Sequence, residues 1–127
     1  MSFSRKVRRF HVDSMEKADR VYRATAVEIF NSVIRDTPVD TGRARGNWQA
    51  TTESPAQGQT SRAGAAAAQG EVIQKVGGLE TTTYLTNNLP YIQRLEYGYS
   101  KQAPQGMVRR NVARLQQIIS RLVRTTR

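Results

Sequence analysis

The chain has 127 residues, about one average domain, and its 20 Lys and Arg against 10 Asp and Glu give a formal charge of +10. It has no cysteine, which excludes a disulfide framework, a thiolate zinc site and a cysteine nucleophile, and its single histidine cannot build a histidine-rich metal site. Hydrophobic residues make up 38%, mean hydropathy is −0.61, and no run approaches the roughly 20 apolar residues of a transmembrane helix; these values predict a soluble single domain whose excess charge attracts polyanions or acidic surfaces.

Residues 1–12 carry Arg5, Lys6, Arg8 and Arg9 around Phe3, Val7 and Phe10, and read as a basic arm, mobile or docked on a partner. Asp13 and Glu16 have capping-box spacing. From Ala18 the residues Val21, Tyr22, Thr25, Ile29, Phe30 and Val33 recur at three- and four-residue steps, which predicts a helix over 13–36 with one buried face. Pro38 stops it by pushing Thr37 out of helical geometry. Pro38 to Arg43 is a turn in which Gly42 takes a positive φ, and Trp48 with the threonines up to Thr52 starts a sheet. Residues 53–70, rich in Ser, Gln, Gly and Ala, read as a long flexible excursion. Residues 71–76 and 79–86, joined by Gly77-Gly78, read as a hairpin. A short helix follows Pro90 and ends at Gly98. A last amphipathic helix runs from about Gly106 to Val123, with Val108, Val112, Leu115, Ile118, Ile119 and Leu122 on one arc and Arg109, Arg110, Arg114, Arg121 and Arg124 on the other. The fold class is therefore α+β: a long N-terminal helix, a small antiparallel sheet with a flexible excursion, a short helix and a C-terminal amphipathic helix.

Several local signals point to chemistry and are better explained structurally. Asp40-Thr41-Gly42 matches the core of an aspartic protease, but it follows an amphipathic helix instead of an apolar strand and leads into Arg43, so a tight turn is the better reading. His11 lies in a basic segment without neighbouring carboxylates and reads as solvent-facing. Trp48, Tyr84, Tyr91, Tyr97 and Tyr99 are residue types that can stack on nucleobases, yet tyrosines bordering strands and short helices more often bury a ring and keep the hydroxyl wet. The arginine face of the last helix suits phosphate or carboxylate. The same helix has the pattern of a membrane-surface helix, but it lacks a Trp or Phe on its apolar face, which core packing explains better. No catalytic, cofactor or metal residues emerge.

Two blocks carry a resemblance. The first is Thr37-Pro38-Val39-Asp40-Thr41-Gly42-Arg43-Ala44-Arg45-Gly46-Asn47-Trp48 after a long helix. The second is Asn87-Asn88-Leu89-Pro90-Tyr91, then Leu95-Glu96-Tyr97-Gly98, then Ser100-Lys101-Gln102-Ala103-Pro104 before a helix. In this order and spacing the chain resembles the gene-ten-like family of tailed-phage neck and tail proteins, related to the minor tail protein Z (tail completion protein) of phage lambda. Ala44 stands where a leucine is common in that family, Gly106-Met107 replace a usual Pro-Phe, and Asn111 sits where a proline often lies.

The resemblance implies a structural subunit, not an enzyme, that needs no cofactor. It implies a homo-oligomeric ring, a hexamer, at the head–tail junction of the virion, assembled in the host cytoplasm. Its partners would be neighbouring neck, portal-side or tail-tube proteins, and double-stranded DNA passing through the lumen without sequence specificity; no membrane is involved. On that reading Arg5, Lys6, Arg8, Arg9, Arg109, Arg110, Arg114, Arg121 and Arg124 face DNA or a docking partner, while Asp40, Arg43, Arg45, Trp48, Tyr91, Tyr97 and Tyr99 are candidates for the subunit interface. The alternative is a small basic nucleic-acid-binding protein that uses the arginine-rich C-terminal helix.

Overall fold

The computed structural model describes residues 2–39, 42–98 and 101–127, and it is α+β, mostly helical. Helix α1 spans Phe3–Asp36, 34 residues and so about 51 Å long. The stretch expected as a separate arm is thus its first three turns. Ser2 caps it, the hydroxyl accepting from the Arg5 amide at 3.3 Å, and Phe3, Val7 and Phe10 extend the same three-and-four spacing that was legible from Ala18 onward. At the other end Thr37 is extended, as its place before Pro38 requires.

A single-turn helix α2 (Arg43–Gly46) leads into strand β1 (Gln49–Thr52), which pairs antiparallel with β2 (Thr83–Thr86) in the register Gln49↔Thr86, Ala50↔Leu85, Thr51↔Tyr84, Thr52↔Thr83. The expected hairpin over 71–86 is therefore wrong in its first half. Residues 65–75 form helix α3 (Ala65–Lys75). The run Ala65 to Ala68 has the highest intrinsic helix propensity, and Ala68, Val72 and Val76, spaced four apart, all turn into the core. The β-branched character of Val72 and Val76 serves packing here, and the partner of β2 comes from thirty-odd residues upstream.

A two-stranded ribbon is marginal by itself; here α3 packs against both β1 and α1 and covers it. The core consists of Val33 and Ile34 from α1, Trp48 and Ala50, Ala68, Val72 and Val76, and Ala103 with Met107. Ile34, Met107 and Val72 have no exposed surface, and each contributes roughly 1.5–3 kcal/mol of burial free energy. After β2 come the short helix α4 (Ile92–Glu96), Gly98 with φ +88°, and a C-terminal region in two pieces, α5 (Val108–Val112) and α6 (Leu115–Thr125). The expected single last helix is broken at Ala113 and Arg114. α6 runs back along α1, as Asn111–Asp36 and Arg121–Glu28 contacts show. Of the apolar arc expected for one last helix only Ile118, on α6, is buried; Val108 and Val112 on α5 and Ile119 on α6 remain exposed.

Candidate functional site

The two sequence blocks converge on one packed unit at the C-terminal end of α1. Thr37, fully buried, donates its hydroxyl to the Val33 carbonyl at 2.6 Å and accepts the Trp48 indole N–H at 2.8 Å. The Arg45 guanidinium donates to the carbonyls of Thr37 (2.7 Å) and Arg35 (2.6 Å), occupying acceptors that a helix end otherwise leaves open. Gln102 then joins the second block to the first: its Oε1 accepts from the Val39 amide at 2.7 Å and its Nε2 donates to the Val39 carbonyl at 2.9 Å. Asn87 donates to the Ala44 carbonyl at 2.9 Å, and Leu89 is buried.

Glu96 organises the start of α5. Its Oε1 accepts from the Met107 and Val108 amides at 3.0 and 2.8 Å, and its Oε2 from the Arg109 amide and Nε, both at 3.0 Å. Burial pushes this carboxyl up, but the amides of Arg109, Val108 and Met107 together with the Arg109 guanidinium outweigh burial and hold it below the usual carboxylate range. The Arg109 guanidinium also lies 4.9 Å from the centre of the Tyr97 ring, a cation–π distance. Asn111, fully buried, donates to Asp36 at 2.9 Å and to the Met107 carbonyl at 2.7 Å, so it bridges α5 to α1 where the family resemblance would place a proline.

The segment expected as a flexible excursion is tied to this unit. Gly42, at φ +81°, accepts at its carbonyl from the Gly64 amide at 2.8 Å. Gly46 lies directly beneath the Arg62 backbone, where a Cβ would collide with the Arg62 carbonyl. Arg62 donates to the carbonyls of Gly46 (3.0 Å) and Trp48 (2.8 Å) and pairs with Glu71 at 3.1 Å, while the other oxygen of Glu71 accepts from the Ala50 amide at 2.8 Å. The Thr60 amide donates to Asn47 Oδ1, and Asn88 donates to the Ala56 and Gly58 carbonyls. A segment with few apolar side chains is held by hydrogen bonds to backbone carbonyls, which composition does not reveal. Arg62 and Glu96 are the organising residues that the sequence reading missed. Glu96 was signalled by its place in Leu-Glu-Tyr-Gly of the second block; Arg62, inside a low-complexity stretch, had no signal.

The expected interface set changes accordingly. Trp48, 5% exposed, is a core residue and unavailable to a neighbour. Arg45 is spent on the end of α1, and Arg43 donates to Gln59 at 3.0 Å. Tyr91 and Tyr97 are exposed, Tyr97 by 64%. Asp40 and Tyr99 lie outside the described residues.

The cations fall into two groups. Arg5, Lys6, Arg8 and Arg9 are all exposed on the first turns of α1. On α5 and α6, Arg109 pairs with Glu96 and Arg121 with Glu28, Arg114 donates to Asn111, and Arg110 and Arg124 face solvent. Asp19, elsewhere on α1, is held below the usual range by the Arg23 guanidinium and the Leu79 amide, contacts that fix the loop before β2 together with the Tyr22 hydroxyl donating to the Thr81 carbonyl at 2.7 Å. Among the described residues no group of His, Cys, Asp or Glu is arranged to hold a metal ion, and no helix is long and apolar enough to cross a membrane. No protein-family model, no curated protein and no solved structure matches the chain.

Proposed function

We propose that this chain is a structural subunit of a tailed-phage neck, forming a homo-oligomeric ring at the head–tail junction that surrounds the DNA path. The observation that supports it best is the convergence of the two blocks. Residues some sixty apart, Val39 and Gln102, bond reciprocally, and Trp48 of the first block shares a core with Ala103 and Met107. The described residues of the two blocks thus belong to one folded unit, which accounts for their occurring together and in order. Exposed Tyr91 and Tyr97 beside this unit are of the type enriched at protein interfaces, and a ring needs a patch that matches a different patch on the next copy. The exposed cations Arg110 and Arg124, on a C-terminal region without any acidic residue after Glu96, suit a polyanion that slides past.

Electron microscopy of the purified full chain tests the proposal: rings with a central opening support it, and a monomer at all concentrations together with no ring at the head–tail junction of virions refutes it. The freestanding nucleic-acid-binding alternative draws on the same two arginines. It requires tight binding by the isolated subunit, with the log–log salt slope steepening by about −0.9 for each phosphate neutralised. The ring reading requires weak binding with a shallow slope.

A further inference from the structure

The first half of α1 carries an uncovered apolar stripe. Phe3 is 82% exposed, Phe10 74% and Val7 49%. At 100° per residue these side chains share a stripe with Ser14, Ala18, Val21 and Thr25. α6 covers that stripe only toward its C-terminal half. Between the two helices lies a groove of about 380 Å³, with Ser14, Ala18, Val21, Tyr22 and Thr25 on one side and Ile119 and Val123 of α6 on the other. The exposed phenylalanines lie on the direct continuation of this groove.

We infer that this stripe is covered by the same stripe of a second copy, the two α1 helices packing antiparallel about a twofold axis near Phe10 and His11. In that register Phe3 of the second copy lies against Ala18 at the mouth of the groove, Val7 faces Ser14, and the two Phe10 rings meet at the axis. The second copy's α1 extends the line of α6.

Charge selects this partner and this direction. α1 is segregated, with Arg5, Lys6, Arg8 and Arg9 first and Asp13 and Glu16 next. Lys6 and Asp13 border the stripe on the same side, and among the described residues neither has an ion-pair partner within the chain. Antiparallel packing brings each Lys6 to the other copy's Asp13, whereas parallel packing stacks the two cationic blocks on each other. A flat anionic bilayer cannot enter a groove walled by α6. A phosphate backbone does not cover two phenylalanines.

Phe3 and Phe10 of the two copies, 82% and 74% exposed in the subunit, offer about 600 Å², and Val7 with the groove walls adds to this, an area at the low end of specific interfaces. The contact is isologous, whereas a ring closes through head-to-tail contacts, so it goes beyond the ring reading and does not depend on it.

The absence of cysteine makes the test direct. Full-length His11→Cys, treated with a short bis-maleimide, should give a covalent dimer on a denaturing gel. Ser4→Cys should not, because its two copies stand 13 residues of helix apart, about 20 Å. Adding Phe3→Asp and Phe10→Asp to His11→Cys should abolish the cross-link; both side chains face solvent in the subunit, so far-UV circular dichroism should be unchanged. Equal cross-linking from Ser4→Cys, no cross-link from His11→Cys, or a cross-link that survives the aspartates overturns the inference. So does wild type that sediments as a monomer and binds anionic vesicles through α1. A dimer without any ring upholds this contact and refutes only the ring.

Discussion

Replacing Glu96 by Gln changes one atom and separates charge from shape. The native carboxylate, with its side chain 15% exposed, takes two amides on one oxygen and an amide plus a guanidinium on the other. Glutamine keeps one acceptor oxygen for Met107 and Val108 but turns an NH₂ toward the Arg109 amide and guanidinium, so donor meets donor and two charge-assisted bonds are lost. Such bonds are worth about 1.5–3 kcal/mol each when buried; Arg109 is half exposed and can rehydrate, which brings the expected loss to about 2 kcal/mol for the pair.

Urea unfolding followed through the fluorescence of Trp48, the sole tryptophan and a core residue, is the assay. A loss of about 2 kcal/mol lowers the midpoint by roughly 1 M at a typical urea slope, at fixed protein concentration because assembly adds to apparent stability. The pH dependence gives a second readout. Because the folded carboxyl is held below the ordinary glutamate value of 4.5, its contribution is complete above that value and disappears as pH falls through the lower folded value. The gap between wild type and Glu96→Gln should therefore be largest near neutral pH and close on acidification. A midpoint within error of wild type, or a gap that stays constant with pH, refutes the capping role.

Two further outcomes test the rest of the unit. Arg62→Met removes the donors to the Gly46 and Trp48 carbonyls and the Glu71 pair, and should free residues 53–64, seen as faster amide exchange and new proteolytic cleavage there while α1 remains protected. Trp48→Phe removes the indole N–H that Thr37 accepts and leaves a void beside Ile34 and Met107, which should cost about 2–3 kcal/mol in thermal unfolding.

Sequence periodicity located α1 because a helix with one buried face repeats the same angle over many turns. It did not locate the start, since the cationic side chains of residues 5–9 obscured the apolar stripe that Phe3, Val7 and Phe10 continue. The alanines of α3 looked like filler for a loop, although alanine is the strongest helix former, and only the four-residue spacing of Ala68, Val72 and Val76 marked the buried face. At the site, the turn at Gly42 and the short helix α4 were legible from local turn chemistry. The pinned excursion was not, because its bonds run from Arg62 and Asn47 to partners fixed only by the fold.

The sequence by itself determined the charge, the absence of thiol chemistry and the long first helix. Each is a composition or a short-range pattern, and none needs distant partners to be read. The tertiary structure alone decided that β2 pairs with β1, that Trp48 belongs to the core and Arg45 to the end of α1, and that Glu96 caps a helix eleven residues away. Those are long-range contacts in which one hydrogen-bonding group competes for several possible partners, and the competition is settled only when the core closes around Ile34 and Met107.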